Sequence, residues 1–322
     1  MSLPSIVKPT IIQGPCYLLH GGIATYFKKG LQVSDEVQSW TPDSDFGKLG
    51  ERHKSRVFKI SGVPTGMLTS GYLDYVYAAH KSPGTKIGRT IITGAAVICS
   101  ITESAQYSFN KAGIFTPPNL FAGPTSTAFE QVTYLAIGDL SKTPLDAAFL
   151  RTYTGSLTPD TTFDETKVIS DLYSAALGTR TSPYNGMGSL NGFRITFSHD
   201  VKMIEAGDVG IGDAILKDCG AGASFIPSNL AESDIDTLLG IEGTAATLPG
   251  QEYGKGSGGT KEDLVITGTQ LGWAFTLKNA GAKKQDRQYL IGEHRHKELQ
   301  FVNAPVSASG VRSPYFAYTA PS

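Results

Sequence analysis

The hydrophobic pattern has a period of two from its first readable stretch. Pro15-Cys16-Tyr17-Leu18-Leu19 is apolar, His20-Gly21-Gly22 is a turn signal, and Ile23 to Phe27 is rich in strand formers. This order predicts a β-hairpin. Leu31-Gln32-Val33 and Arg56 to Ile60 alternate again, and the second run stops at Gly62 and Pro64. Met67, Leu68, Tyr72, Leu73 and Val76 then recur at three- and four-residue spacings, which predicts one short helix near 66–78. Further strands are expected at 89–93, 95–100, 105–109 and 129–137. Ser141 to Asp146 reads as a helix start with proline at its first turn. The polar stretch 154–190 reads as a linker with a short helix at 165–176.

The second half repeats this order. Gly22 to Phe27 matches Gly192 to Phe197 at an offset of 170 (192 − 22), and Leu31 to Val33 then fall on Val201 to Met203. Ala223 to Pro227 stands where Phe58 to Pro64 stood, and a helix is expected again at 230–239. Ile91-Ile92-Thr93-Gly94 returns as Val265-Ile266-Thr267-Gly268 at an offset of 174 (268 − 94). The shared order points to a duplication.

Composition agrees with many short strands. Of the 322 residues 18% are charged, against roughly 25% in ordinary soluble domains, and 37 glycines and 17 prolines take part of that share. The formal net charge is −1, with no basic stripe, which argues against a protein that holds nucleic acid by its phosphates. Cys16, Cys99 and Cys219 are odd in number and far apart, so no disulfide framework or zinc spacing is expected, and a reducing compartment is. The first residues lack the basic and apolar regions of a signal peptide, and no apolar run is long enough to span a bilayer.

Chemical motifs fail on context. Gly254 to Gly259 contains G-x-G-x-x-G but leads into an expected strand, where a pyrophosphate loop needs a helix. His294 and His296 lie two apart with no third ligand at a recognised distance. Asp43-Ser44-Asp45 lacks the glycine and glutamate that complete a calcium loop. No catalytic, cofactor-binding or metal-binding residue is assigned, and no enzyme is expected. The polar segment 34–55 is too long for an ordinary hairpin connection. It is read as an inter-subunit contact loop carrying Trp40, Asp43, Asp45, Phe46 and Leu49, because an aromatic in a polar loop is often an interface anchor.

Ile12-Gln13-Gly14-Pro15 with Thr25 to Gly30 resembles the opening of a group of bacteriophage tail tube proteins. Phe46-Gly47-Lys48, Glu51-Arg52, Arg56, the block Phe58 to Gly66, the Ile-Thr-Gly strands, Asn279-Ala280-Gly281 and Ile291-Gly292-Glu293 are similar to later blocks of that group. The resemblance runs from about residue 10 to residue 318. It implies a mainly β fold of two related tail-tube-like sandwich or barrel domains, each with a short flanking helix. They are expected at 1–153 and 191–322, joined by the linker 154–190. It further implies a virion tail subunit, assembled in the bacterial host cytoplasm into trimeric pseudo-hexameric rings and stacked tubes. Its partners would be the tape measure, tail terminator and tip proteins, with no membrane. Genomic DNA would pass through the lumen without specific binding. A capsid decoration protein shares this composition and is the first rival. A tail-tip hydrolase or carbohydrate binder would need paired carboxylates near exposed aromatics, and none is visible in the sequence.

Overall fold

A computed structural model describes residues 16–40, 43–45, 47–48, 52–65, 70–100, 105–123, 127–137, 151–154, 173–206, 210–239, 262–268, 273–283, 288–291, 294–303, 312 and 314–319. The fold is mainly β. The first half contributes β1 (Cys16–His20), β2 (Ile23–Trp40), β3 (Asp43–Ser44), β4 (Gly47–Lys48) and β5 (Arg52–Pro64). Three short helices follow, α1 (Ser70–Val76), α2 (Ala78–Lys81) and α3 (Pro83–Lys86). Then come β6 (Gly94–Ser100), β7 (Ala105–Thr116), β8 (Leu120–Ala122), β9 (Thr127–Phe129), β10 (Val132–Ile137) and β11 (Arg151–Thr154). The second half holds β12 (Tyr173–Leu177), β13 (Asn185–Met187), β14 (Phe193–Ala206), β15 (Gly210–Phe225) and α4 (Glu232–Leu239). It ends with β16 (Glu262–Gly268), β17 (Ala274–Lys283), β18 (Gln288–Ile291), β19 (His294–Lys297), β20 (Leu299–Asn303) and β21 (Phe316–Thr319).

The first sheet closes on itself. Its order β1-β2-β5-β10-β7-β6 returns to β1, and every pairing is antiparallel. Closure removes the free edges that an open sheet would expose. Alternate residues fill this barrel: Leu18, Ile60, Ile98, Val132, Tyr134 and Ala136 form one buried cluster. β10 is buried on its other face too. There Leu135 and Ile137 join Val57, Ile211 and Ala214 in a cluster between the two halves.

The second half repeats the pairing scheme residue for residue. Ile98 lies opposite Tyr107, and Ile266 lies opposite Phe275, an offset of 168 on both strands (266 − 98, 275 − 107). The register shift between Gly94 and Ala96 returns between Glu262 and Leu264, at the same offset. Gln38 opposite Ser55 becomes Asp200 opposite Asp218, with offsets of 162 (200 − 38) and 163 (218 − 55). The register shift that follows Gln38 likewise follows Asp200. The pairing Phe27–Pro64 becomes the isolated bridge Ser189–Pro227. β12 takes the place of β1 beside β16 at an offset of 157 (173 − 16). A bulge costs local pairing and re-aims the strand. Two bulges at matching places are a stronger sign of duplication than shared residues.

Several expectations change. The offsets of 170 and 174 are replaced by 162 and 168. The sequence matches were slipped by eight and six residues, and an even slip preserves a period-two pattern. β12 and β13 lie inside the stretch read as a linker, so the second strand set begins at Tyr173, and residues 173–176 are strand where a helix was expected. The rest of that helix and the helix start at 141–146 lie outside the described residues. Residues 89–93 form no strand: Thr90 makes a single bridge to Ile215. The helix read at 66–78 is α1 followed by two separate turns, α2 and α3, with proline opening the last. The second helix is α4, as the 230–239 reading placed it.

Leu135 is fully buried, whereas Val302, its counterpart at an offset of 167 (302 − 135), is 47% exposed. Leu135→Ala is expected to cost about 2–5 kcal/mol by leaving a cavity. Val302→Thr should change the isolated chain by less than about 0.5 kcal/mol. Denaturant unfolding of both variants measures the contrast.

Candidate functional site

The described ends of the segment 34–55 are paired with each other. β2 and β5 stay paired from Ser34 opposite Lys59 to Trp40 opposite Arg52. β10 accompanies β5 as far as Val57, and beyond it the pair runs on as a two-stranded arm. Glu36 and Lys59 form an ion pair of 2.7 Å across β2 and β5 near the base of the arm. Trp40 ends β2. Asp43 lies opposite Lys48 and Ser44 opposite Gly47 in the small β3–β4 hairpin, with Asp45 exposed at its turn. Gly47 has φ +99°, which favours glycine there. Phe46 and Leu49 lie outside the described residues. The structure thus gathers Trp40, Asp43 and Asp45 at the outer end of one arm.

What the second arm does is visible within the chain. β14 and β15 form the counterpart ribbon, and it lies against the first barrel. Ile211 and Ala214 on β15 pack with Leu135 and Ile137, and Val201 and Met203 on β14 flank them. The backbone at 88–91 hydrogen-bonds to β15: the amides of Gly88 and Ile91 donate to the carbonyls of Leu216 and Ala214 at 2.8 Å. The hairpin β8–β9, from the first half, adds to the outer edge of β14. Phe193 lies opposite Ala122, Arg194 opposite Phe121 and Ile195 opposite Leu120. Leu120, Phe129, Phe193 and Ile195 are buried there.

Polar groups lock the register of this contact. The Asn119 carbonyl oxygen accepts from the Phe197 amide at 2.8 Å, and its amide nitrogen donates to Glu130 at 2.7 Å. Arg194 pairs with Glu130 at 2.7 Å. Partial burial raises the Glu130 carboxyl, but the hydrogen bonds from Arg194 and Asn119 outweigh it and hold the group below its usual range. Between the helices and β14, Tyr77 stacks on Phe197 with ring centroids 4.0 Å apart, and His80 stacks on His199 at 5.2 Å. Burial pushes His80 down to about 3, with His199 beside it as a further cause, and burial pushes His199 down to about 4. Both imidazoles are neutral at pH 7.

A cleft of about 530 Å³ opens beside the junction, with His20, Tyr75, Lys86, Arg89, Thr90 and His199 on its walls. Among the described residues that line it there is no carboxylate or thiol. His20 Nε2 donates to the Ala112 carbonyl at 3.0 Å, which leaves Nδ1 to accept from the Tyr75 hydroxyl. Burial lowers the His20 pKa, so the ring is a neutral structural bridge with both nitrogens engaged. His294 and His296 stand on β19. Among the described residues no group of three potential metal ligands occurs. Cys16, Cys99 and Cys219 are buried and free, and burial raises each thiol, that of Cys219 to about 12. No helix among the described residues is long and apolar enough to cross a membrane. Neither a family model nor a curated protein matches the chain.

The sequence reading missed the β8–β9 crossing. Leu120-Phe121-Ala122 is too short to carry a period, and nothing local says which sheet it joins. The junction also sets a pH dependence. His80 and His199 bind protons more weakly folded than unfolded, so stability is full above about pH 6.5 and falls as pH drops towards 4. The slope can reach about 1.4 kcal/mol per pH unit for each imidazole. Thermal melting from pH 7 to pH 5 should show a larger fall in the parent chain than in a His80→Leu, His199→Leu variant. An equal fall would place the dependence elsewhere.

Proposed function

We propose that this chain is a structural subunit of a bacteriophage tail tube, which stacks as rings into the conduit for DNA ejection. The observation that carries the reading is the head-to-tail contact of two like β units inside one chain. The arm and edge of the second unit receive the barrel wall and hairpin of the first. A contact of this kind between unlike surfaces of like units is heterologous, and it continues from copy to copy until it closes as a ring or runs on as a filament. Two units per chain suit a ring of three chains with six quasi-equivalent positions. The sequence resemblance to tail tube proteins supplies the biological setting. The net charge of −1 suits a lumen through which DNA slides without sticking. The arm carrying Trp40, Asp43 and Asp45, with Phe46 and Leu49 in the same segment, is assigned to contacts with the neighbouring subunit or the next ring.

Negative-stain electron microscopy of the purified chain at high concentration, with native mass on the same sample, tests this. Rings or hollow tubes built from three chains are expected, and Trp40→Ala with Phe46→Ala should lose them while the chain stays folded. A chain that stays monomeric in solution but binds capsids would replace the tube by the decoration role.

A further inference from the structure

The duplication allows each half of the internal contact to be sought in the other unit. β8–β9 has a counterpart at an offset of 168: Leu120 opposite Phe129 becomes Gln288 opposite Lys297, and Phe121 opposite Ala128 becomes Tyr289 opposite His296. This is β18–β19. In the first unit the hairpin extends a ten-stranded sheet through β14, whereas β18–β19 forms a two-stranded sheet by itself, with no third strand among the described residues.

The receiving edge also has a counterpart. Phe193-Arg194-Ile195 corresponds to Leu31-Gln32-Val33 at an offset of 162 (194 − 32), as the pairings Arg194–Ser224 and Gln32–Ser61 show. Both runs read apolar-polar-apolar. Ile195 under β8 is 2% exposed, while Val33, with no strand beyond it among the described residues, is 43% exposed. The glycines just before these runs agree. Gly192 and Gly30 have φ of +85° and +81°. A Cβ on Gly192 would meet the Ala122 carbonyl at 2.6 Å, whereas one on Gly30 would meet nothing within 4 Å. Both glycines share a left-handed φ, and among the described residues the space is filled at one and open at the other.

The barrel walls give a third sign. Leu135 is covered by the β14–β15 arm, and Val302 at the same position of the second unit is exposed. Val33 and Val302 are two of the three large apolar side chains exposed among the described residues. Each corresponds to a residue buried at the internal junction. Among the described residues, one chain therefore carries a hairpin and a wall at its second unit, and an edge and an arm at its first, without the partners that their counterparts have.

We propose that β18–β19 of one chain adds antiparallel to the β2 edge of a second copy, with Leu290 opposite Leu31, Tyr289 opposite Gln32 and Gln288 opposite Val33, while the β2–β5 arm of that copy covers Val302. The contact repeats between chains the one made within the chain, and backbone hydrogen bonds supply its register. It departs from the internal contact in its side chains. Arg194 and Glu130 are replaced by Gln32 and Glu298, so a neutral–charged pair stands where an ion pair stood. The proposal rests on the ring-forming reading above and specifies its interface.

The test is a cysteine pair in the full chain, Gln32→Cys with Tyr289→Cys. The three native thiols are buried and can remain. Opposed antiparallel positions lie within reach of a disulfide. Mild oxidation should give a ladder of chain dimers and trimers on a non-reducing gel. Gln32→Cys with Arg295→Cys, one strand further away, should give at least tenfold less. Separately, Val33→Asp should weaken assembly at least tenfold without moving the melting temperature of the monomer. Rings or tubes that form without the 32–289 disulfide would overturn this contact and leave the tube reading standing. A disulfide closing within one chain would overturn it as well. Cross-linked chains that never build rings or tubes would support the contact and count against the tube. A chain that stays monomeric and unlinked at high concentration would overturn both.

Discussion

The structure depends on the need of every strand edge for a partner. A backbone N–H or C=O left without one is costly when buried and is a template for another chain when exposed. The first barrel meets this need by closing: β7 bends so that residues 112–116 pair with β10 while residues 105–108 pair with β11. The second unit bends β17 in the same way, pairing 280–283 with β20 and 274–277 with β21. Beside each arm lies a stretch of strand edge, 31–33 of β2 and 193–195 of β14, that the sheet's own strands leave to be satisfied. On β14 the strand β8 satisfies it. The rest of the junction follows from that placement: helices against β14, stacked imidazoles, and the wall at Leu135.

Burial at this junction explains its chemistry. His20, His80 and His199 are held neutral by desolvation, and they bridge or stack instead of presenting a free base. Perturbed imidazoles in a cleft are a common mark of an active site. Here His20 is engaged at both ring nitrogens, and His80 and His199 stack on each other at the contact between the two units.

The apolar pattern by itself determined the mainly β class and most strands of the first barrel through its period of two, the presence of a helix near 70–76 through its three- and four-residue spacings, the second helix by its place in the repeat, and the existence of that repeat. These are local properties, written by alternation, by turn glycines and by the prolines at 64 and 227. The offset of that repeat was beyond it, because a slip of six or eight residues leaves every apolar residue on the same face. The arm was beyond it too: the polar stretch 34–55 read as one loop, and nothing local says that its two ends pair with each other. Only the tertiary structure decided which hairpin belongs to which barrel. Leu120-Phe121-Ala122 pairs with β14 because Gly192 leaves room for its backbone and Phe193 and Ile195 need cover. That need lies 71 to 75 residues away along the chain (193 − 122, 195 − 120), and a sequence pattern does not carry information over such a distance.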